Sequence, residues 1–119
     1  MSALDGRRIL VVEDEPLLAM LLEDVLGEHG ARVVGPAFNL AQGLSLAESA
    51  EIDGAILDIN LGGQESYPIA NVLHARAVPF LFATAYAHDD NPYADRAPLL
   101  LKPYHLRAVL DAVEAIVAR

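Results

Sequence analysis

Three carboxylates, a hydroxyl and an ammonium stand at the ends of short apolar runs in this chain of 119 residues. Glu13 and Asp14 close RILVV, Asp58 closes GAIL, Thr84 closes FLFA, and Lys102 follows LLL. Lys102 is also the only lysine, beside seven arginines. Carboxylates brought within a few Å of one another repel by about several kcal/mol at an effective dielectric near 20, so a positive partner is required. Oxygen ligands without a neighbouring His or Cys suit a hard cation such as Mg²⁺, which takes one or two carboxylates and keeps several waters. A divalent cation and Lys102 would bring the three acids to formal neutrality. A neutralised site of that kind accepts a phosphoryl group, its oxygens held by metal, ammonium and the Thr84 hydroxyl. One of the carboxylates then serves as the nucleophile.

Each residue has an ordinary explanation when taken alone. Glu13, Asp14 and Glu15 precede a helix, whose N-terminal dipole favours acids. Asp58 and Thr84 can bond their own turns, and Lys102 can be a solvated strand end. Four separate run ends all carrying ionisable or hydroxyl groups argue for a shared site instead.

The elements that would position these groups follow from apolar patterning. RILVV (8–12) reads as a buried strand, and Pro16 opens a helix with Leu18, Leu21, Leu22 and Val25 on one face, closed by Gly27 and Gly30. RVVGPA is a weaker strand, and Asn39 caps a helix carrying Leu40, Leu44 and Ala47, with Gly43 as its weak point. GAILDI is a third strand. A loop, NLGGQES, leads to a helix capped by Ser66 with Pro68 in its first turn and Ile69, Val72 and Leu73 on one face. VPFLFAT and LLL complete five strands. The last segment places Leu106, Val109, Leu110, Val113, Ile116 and Val117 at helical spacing. Between Thr84 and Pro98 two prolines and no sustained apolar period leave a fourth helix short or irregular.

Strands apolar throughout, alternating with helices, predict a doubly wound parallel sheet covered on both faces. Ligands of such sheets bind beyond the carboxyl ends of the strands, where Glu13, Asp14, Asp58, Thr84 and Lys102 fall. The length fits one domain over 1–119 with a core from about 7 to 118. Seventeen acids against eight bases give a net charge of −9, which disfavours binding to nucleic acid. There is no cysteine for a disulfide or thiolate site, and no apolar run long enough for a membrane span, so a cytoplasmic protein is expected. His29, His74, His88 and His105 are scattered and fit no metal-ligand spacing.

VVEDEP, LDINL, FATAY and LKPY, in this order and spacing, resemble the signature set of the response-regulator receiver domain of bacterial two-component signalling. The resemblance covers essentially the whole chain. It implies a (βα)5 flavodoxin-like fold in which Asp58 takes a phosphoryl group from the phosphohistidine of a sensor histidine kinase or a histidine phosphotransfer protein. It further implies Mg²⁺ held by Glu13, Asp14, Asp58 and the carbonyl of Asn60. Thr84 and the Ala85 amide would bind phosphoryl oxygens, and Lys102 would pair with one of them ahead of a cis Lys102–Pro103 bond. Such a domain catalyses only its own phosphorylation and dephosphorylation. The chain ends soon after its last helical pattern, so output is expected through a downstream protein partner, as in a single-domain regulator or a phosphorelay.

Receivers commonly carry an aromatic residue three positions before the lysine, where this chain has Leu99. Together with PFLFATAY this is similar to the FAT GUY subgroup of receivers, although Ala85 stands where that subgroup has Gly. Two readings stand for Tyr86 and Tyr104: one of them substitutes for the absent aromatic, acting with Thr84, or Tyr86 only shields the phosphoryl group from water and Tyr104 packs beside the last helix. The alternatives are a phosphorylation-independent interaction module with the same fold, and an aspartyl-nucleophile phosphatase. The latter usually shows an Asp-x-Asp pair on its first strand, whereas Ile59 and Asn60 follow Asp58 here.

Overall fold

The computed structural model describes residues 3–85 and 90–118. Within them the apolar runs become β1 (Arg8–Val12), β2 (Arg32–Ala37), β3 (Gly54–Asp58), β6 (Phe80–Thr84) and β7 (Leu99–Leu101). These five strands form one parallel sheet in the order β2-β1-β3-β6-β7. The helices are α1 (Pro16–Glu28), α2 (Leu40–Ser49), α3 (Tyr67–Ala75) and α4 (Leu106–Val117).

Because successive strand residues point to opposite faces, each apolar run feeds two cores. Leu10, Val12, Leu57 and Phe82 pack with residues of α2 and α3, and Ile9, Val11, Ile56 and Leu81 pack with α1 and α4. Both faces are therefore covered, as the non-alternating runs require. The core reaches further back than position 7, since Leu4 is fully buried beside Leu26 and Val113.

In α4 Val109, Leu110, Val113, Ile116 and Val117 are buried, as their spacing predicts. In α1 the buried residues are Ala19, Leu22 and Leu26, while Leu21 is exposed with Leu17 and Met20. One residue turns a helix by about 100°, so Leu21 falls outside a stripe centred on Leu22. The helix is apolar on more than the face it buries.

Asn39 caps α2 as expected, its Oδ1 accepting from the Gln42 amide at 2.8 Å. Gly43 has a packing reason, because a Cβ there would lie 2.4 Å from Ile69 Cδ1. Ser66 holds the N-cap position of α3 without a side-chain cap bond; only its carbonyl engages the helix, accepting from Ile69 and Ala70. NLGGQES is more than a loop: Asn60–Leu61 (β4) and Gln64–Glu65 (β5) pair antiparallel around Gly62 and Gly63. Both glycines have positive φ, 61° and 93°, which a tight hairpin turn needs and side chains resist.

Residues 90–98 form turns and no helix, in line with the short or irregular fourth helix read from the sequence. Their bonds run from Ala94 to Asn91 and from Arg96 and Ala97 to Tyr93, with Tyr93 and Ala97 buried against the sheet. The Lys102–Pro103 bond is cis, and so is Gly35–Pro36 at the point where the β1–β2 register shifts.

Candidate functional site

The strand order reverses direction between β1 and β3, and the two strands end in the acids. This switch point opens the crevice in which doubly wound sheets place their ligands. β6 lies on the other side of β3 and brings Thr84 alongside, since Asp58 is registered with Ala83. β7 then sets Lys102, its backbone amide donating to the Thr84 carbonyl at 2.8 Å.

Lys102 bridges the two buried acids. Its Nζ lies 2.7 Å from Glu13 Oε1 and 3.1 Å from Asp58 Oδ2, with the exposed carboxylate of Glu15 at 3.7 Å. Glu13 and Asp58 are 1% and 5% exposed, so neither can be left without a counter-charge. Glu13 also accepts from the Glu15 amide through Oε2 at 3.2 Å, and Asp58 accepts from the Asn60 amide at 3.3 Å. Asp14 is more open, and its Oδ2 accepts from the Gly62 amide at 3.1 Å. The Asn60 side chain is engaged by the Gly63 amide at 2.8 Å, so its part in the site is left to the backbone. A cavity of about 190 Å³ is lined by Asp14, Asp58, Asn60, Thr84, Ala85 and Lys102.

Burial, and then a shared hydrogen bond with Asp58, push Glu13 up to about 8 against the partial relief from Lys102. Burial opposes the charge on Lys102, but pairing with Glu13 and Asp58 outweighs it and holds the ammonium above its usual range. Carboxylate oxygens of Glu13, Asp14 and Asp58 lie within 4.8 Å of one another, an all-oxygen set with surplus negative charge that fits a hard divalent cation.

The switch candidates separate. Leu99 is half-buried on the α2–α3 side of the sheet, whereas Tyr104 packs on the α1–α4 side. The Tyr104 hydroxyl is buried without a hydrogen-bond partner among the described residues, and burial together with Glu13 pushes it up to about 12. Tyr86 lies outside the described residues, as does His88. Glu15 and the Gly62 amide belong to the site as well. The run Glu13–Glu15 hinted at the first, but the second depends on a hairpin that brings residues 14 and 62 together.

A parallel sheet with acids at its switch point and a hydroxyl and an ammonium on the adjoining strands defines a doubly wound phosphoacceptor domain. The chain belongs to the response regulator receiver domain family, whose sequence model matches residues 9–114. This is a family of signalling phosphoacceptors rather than conventional enzymes, which removes the phosphatase alternative. The solution structure of SdrG from Sphingomonas melonis Fr1 is similar over the full length of both chains, with 43% identity and a TM-score of 0.81. The transcriptional regulatory protein PdtaR of Mycobacterium tuberculosis is 30% identical over 95% of this chain and 58% of its own length. The phyllosphere-induced regulator PhyR of Methylorubrum extorquens is 37% identical over 66% of this chain and 30% of its own. The chain thus spans little more than half of the first of these curated relatives. No helix among the described residues is long and apolar enough to cross a membrane.

Proposed function

We propose that Asp58 accepts a phosphoryl group from the phosphohistidine of a sensor histidine kinase or a histidine phosphotransfer protein, and that the phosphorylated chain signals by contact with a protein partner. The carrying observation is the Lys102 ammonium held between Glu13 and Asp58 at the edge of a cavity that Thr84 and Ala85 also line. In the transfer a carboxylate oxygen of Asp58 bonds to phosphorus while the P–N bond breaks, and the bonding pair leaves with the imidazole. Lys102 moves its charge from the Asp58 carboxylate to a phosphoryl oxygen, and the Thr84 hydroxyl and Ala85 amide donate to others. Glu13, Asp14, Asp58 and the carbonyl of Asn60 would hold Mg²⁺, which when bound offsets the acids and the phosphoryl charge.

The approach of a partner is supported by α1. Leu17, Met20 and Leu21 are exposed there at 70%, 54% and 43%, an apolar strip on the helix that starts next to the acids.

The test is incubation with acetyl phosphate and Mg²⁺ followed by intact mass measurement. One added phosphoryl is expected, absent in Asp58→Ala. An unmodified wild-type chain, or a modified Asp58→Ala chain, overturns the assignment.

A further inference from the structure

A second cavity, of about 480 Å³, opens at the other end of the sheet. Arg7 and Asp53 enter it from just before β1 and β3, and Phe80 from the start of β6. These strands end in Glu13, Asp58 and Thr84, so at 3.3 Å per residue roughly 16 Å of strand separates the cavity from the phosphoacceptor. Nothing in phosphoryl transfer uses it.

Its charge is unusual for this chain. Among the cationic side chains of a molecule with net charge −9, Lys102, Arg8 and Arg107 form ion pairs, and Arg76 bonds the carbonyls of Ala47 and Ala50. Arg7, Arg32 and Arg96 form no ion pair among the described residues; Arg32 lies on β2, while Arg7 and Arg96 both line this one cavity. Asp53, the acid on its wall, is engaged elsewhere: its Oδ2 accepts from the Arg8 amide at 2.8 Å and faces Arg8 Nε at 3.5 Å.

The remaining wall is apolar, mostly aliphatic side chains from the turn after α3 and the end of α4, with the largely buried rings of Phe80 and Tyr93 among them. Phe80 and Tyr93 meet edge to face with centroids 5.1 Å apart, and His74 meets Tyr93 at 5.9 Å. The Tyr93 hydroxyl donates to Asn71 Oδ1 at 2.6 Å, which holds the ring in place.

We propose that this cavity binds a small aromatic carboxylate, with its ring against this apolar wall and its carboxylate held by Arg7 and Arg96. Guanidinium–carboxylate pairs are short and bidentate, and the volume lies in the range of about 300–1,000 Å³ typical of small-molecule sites. Inorganic phosphate would leave the apolar wall unused, and an acidic peptide would need a longer track than this cavity gives. Tyr93 and Arg96 sit on the segment that leads from Thr84 to β7 and Lys102. Ligand in the cavity therefore restrains the segment that connects two phosphoryl-binding residues of the proposed function, and any coupling to phosphorylation there is reciprocal.

The test is titration of the full ¹⁵N-labelled chain with 2-naphthoate, followed by NMR. Saturable shifts are expected at Phe80, Tyr93 and Arg96 in unphosphorylated protein, so the result does not depend on Asp58 chemistry. Affinity should fall at least about tenfold in the Arg7→Gln, Arg96→Gln double variant, and by a similar factor for the neutral 2-naphthylmethanol. Both arginines are exposed, so the variant keeps its fold, which an unchanged spectrum elsewhere verifies. The proposal is overturned by an absence of saturable shifts, by equal binding of the alcohol, by unchanged affinity in the double variant, or by tighter binding of inorganic phosphate or a pentaglutamate peptide.

Discussion

The Lys102 amide donates to the Thr84 carbonyl at 2.8 Å, so the residues that end β7 and β6 are locked in register before any ligand arrives. The ammonium of Lys102 is then free to choose among acids on two other strands. A compact ammonium on a flexible stem can move from carboxylate to phosphoryl oxygen, whereas a planar guanidinium needs a fork-shaped partner. Lys102→Arg should keep the fold within about 1–2 kcal/mol and still take up one phosphoryl from acetyl phosphate. The amide shifts at Thr84 and Ala85 that accompany phosphorylation should be largely lost. A variant whose phosphorylated spectrum matches that of the wild type would show that the lysine is not the reporting group.

Glu13 links the site to stability. Its carboxyl is raised from 4.5 to about 8, chiefly by burial, so between those values the folded chain binds more protons than the unfolded one. Stability from this group is complete below pH 4.5 and is lost as pH rises through about 8. Metal-free protein should therefore soften across this window, and Glu13→Gln should flatten the slope and gain more than about 1 kcal/mol at its upper end. Mg²⁺ should restore wild-type stability most at the same high pH, where the acids are ionised. Urea unfolding of both chains at several pH values, with and without Mg²⁺, measures this; equal slopes for the two chains contradict it.

The site was more legible in the sequence than its surroundings were. Strands that are apolar throughout announce a sheet buried on both faces, and such a sheet fixes where their polar end residues go. Glu13, Asp14, Asp58, Thr84 and Lys102 could thus be brought to one edge without any knowledge of contacts. Features set by distant packing left no local trace. The two-residue strands β4 and β5 are too short to show a period, yet their turn carries the Gly62 amide to Asp14. Gly43 reads as a weak helix residue until Ile69 is seen against it. Leu21 fits a helical stripe as well as Leu26 does, and only the position of the sheet decides which of them is buried.

Two helices end in the same way with different residues. At the end of α1, Gly30 has φ 88°, its amide reaching the Gly27 carbonyl and the Ala31 amide reaching Leu26. After α3, Ala77 takes that place at φ 59°, with its amide on His74 and the Val78 amide on Leu73 at 2.9 Å. An alanine in the left-handed region bears a steric cost of about 1 kcal/mol that glycine avoids. Ala77→Gly should accordingly stabilise the chain by about that amount despite the greater freedom of its unfolded state. Denaturant unfolding gives the comparison, and a loss of stability would mean that the Ala77 methyl contributes packing worth more than the strain.

Phe82 is the Cα partner of Leu99, so an aromatic ring stands one strand away from the position where receivers commonly carry theirs. Phe82 lies edge to face with Tyr67 at 5.9 Å and with Phe80 at 5.6 Å, and is 6.2 Å from Tyr93. Leu99 packs against this same cluster, whereas Tyr104 is on the far side of the sheet and cannot fill the space. The Phe82 ring already fills the space beside Leu99, and a second ring at position 99 would overfill it. Leu99→Tyr should therefore destabilise the chain by about 1–3 kcal/mol. Adding Phe82→Leu to Leu99→Tyr should recover part of that loss, a non-additivity expected of residues in direct contact. Urea unfolding of the two single variants and the double variant closes the cycle. Additive losses would show that the two positions are independent.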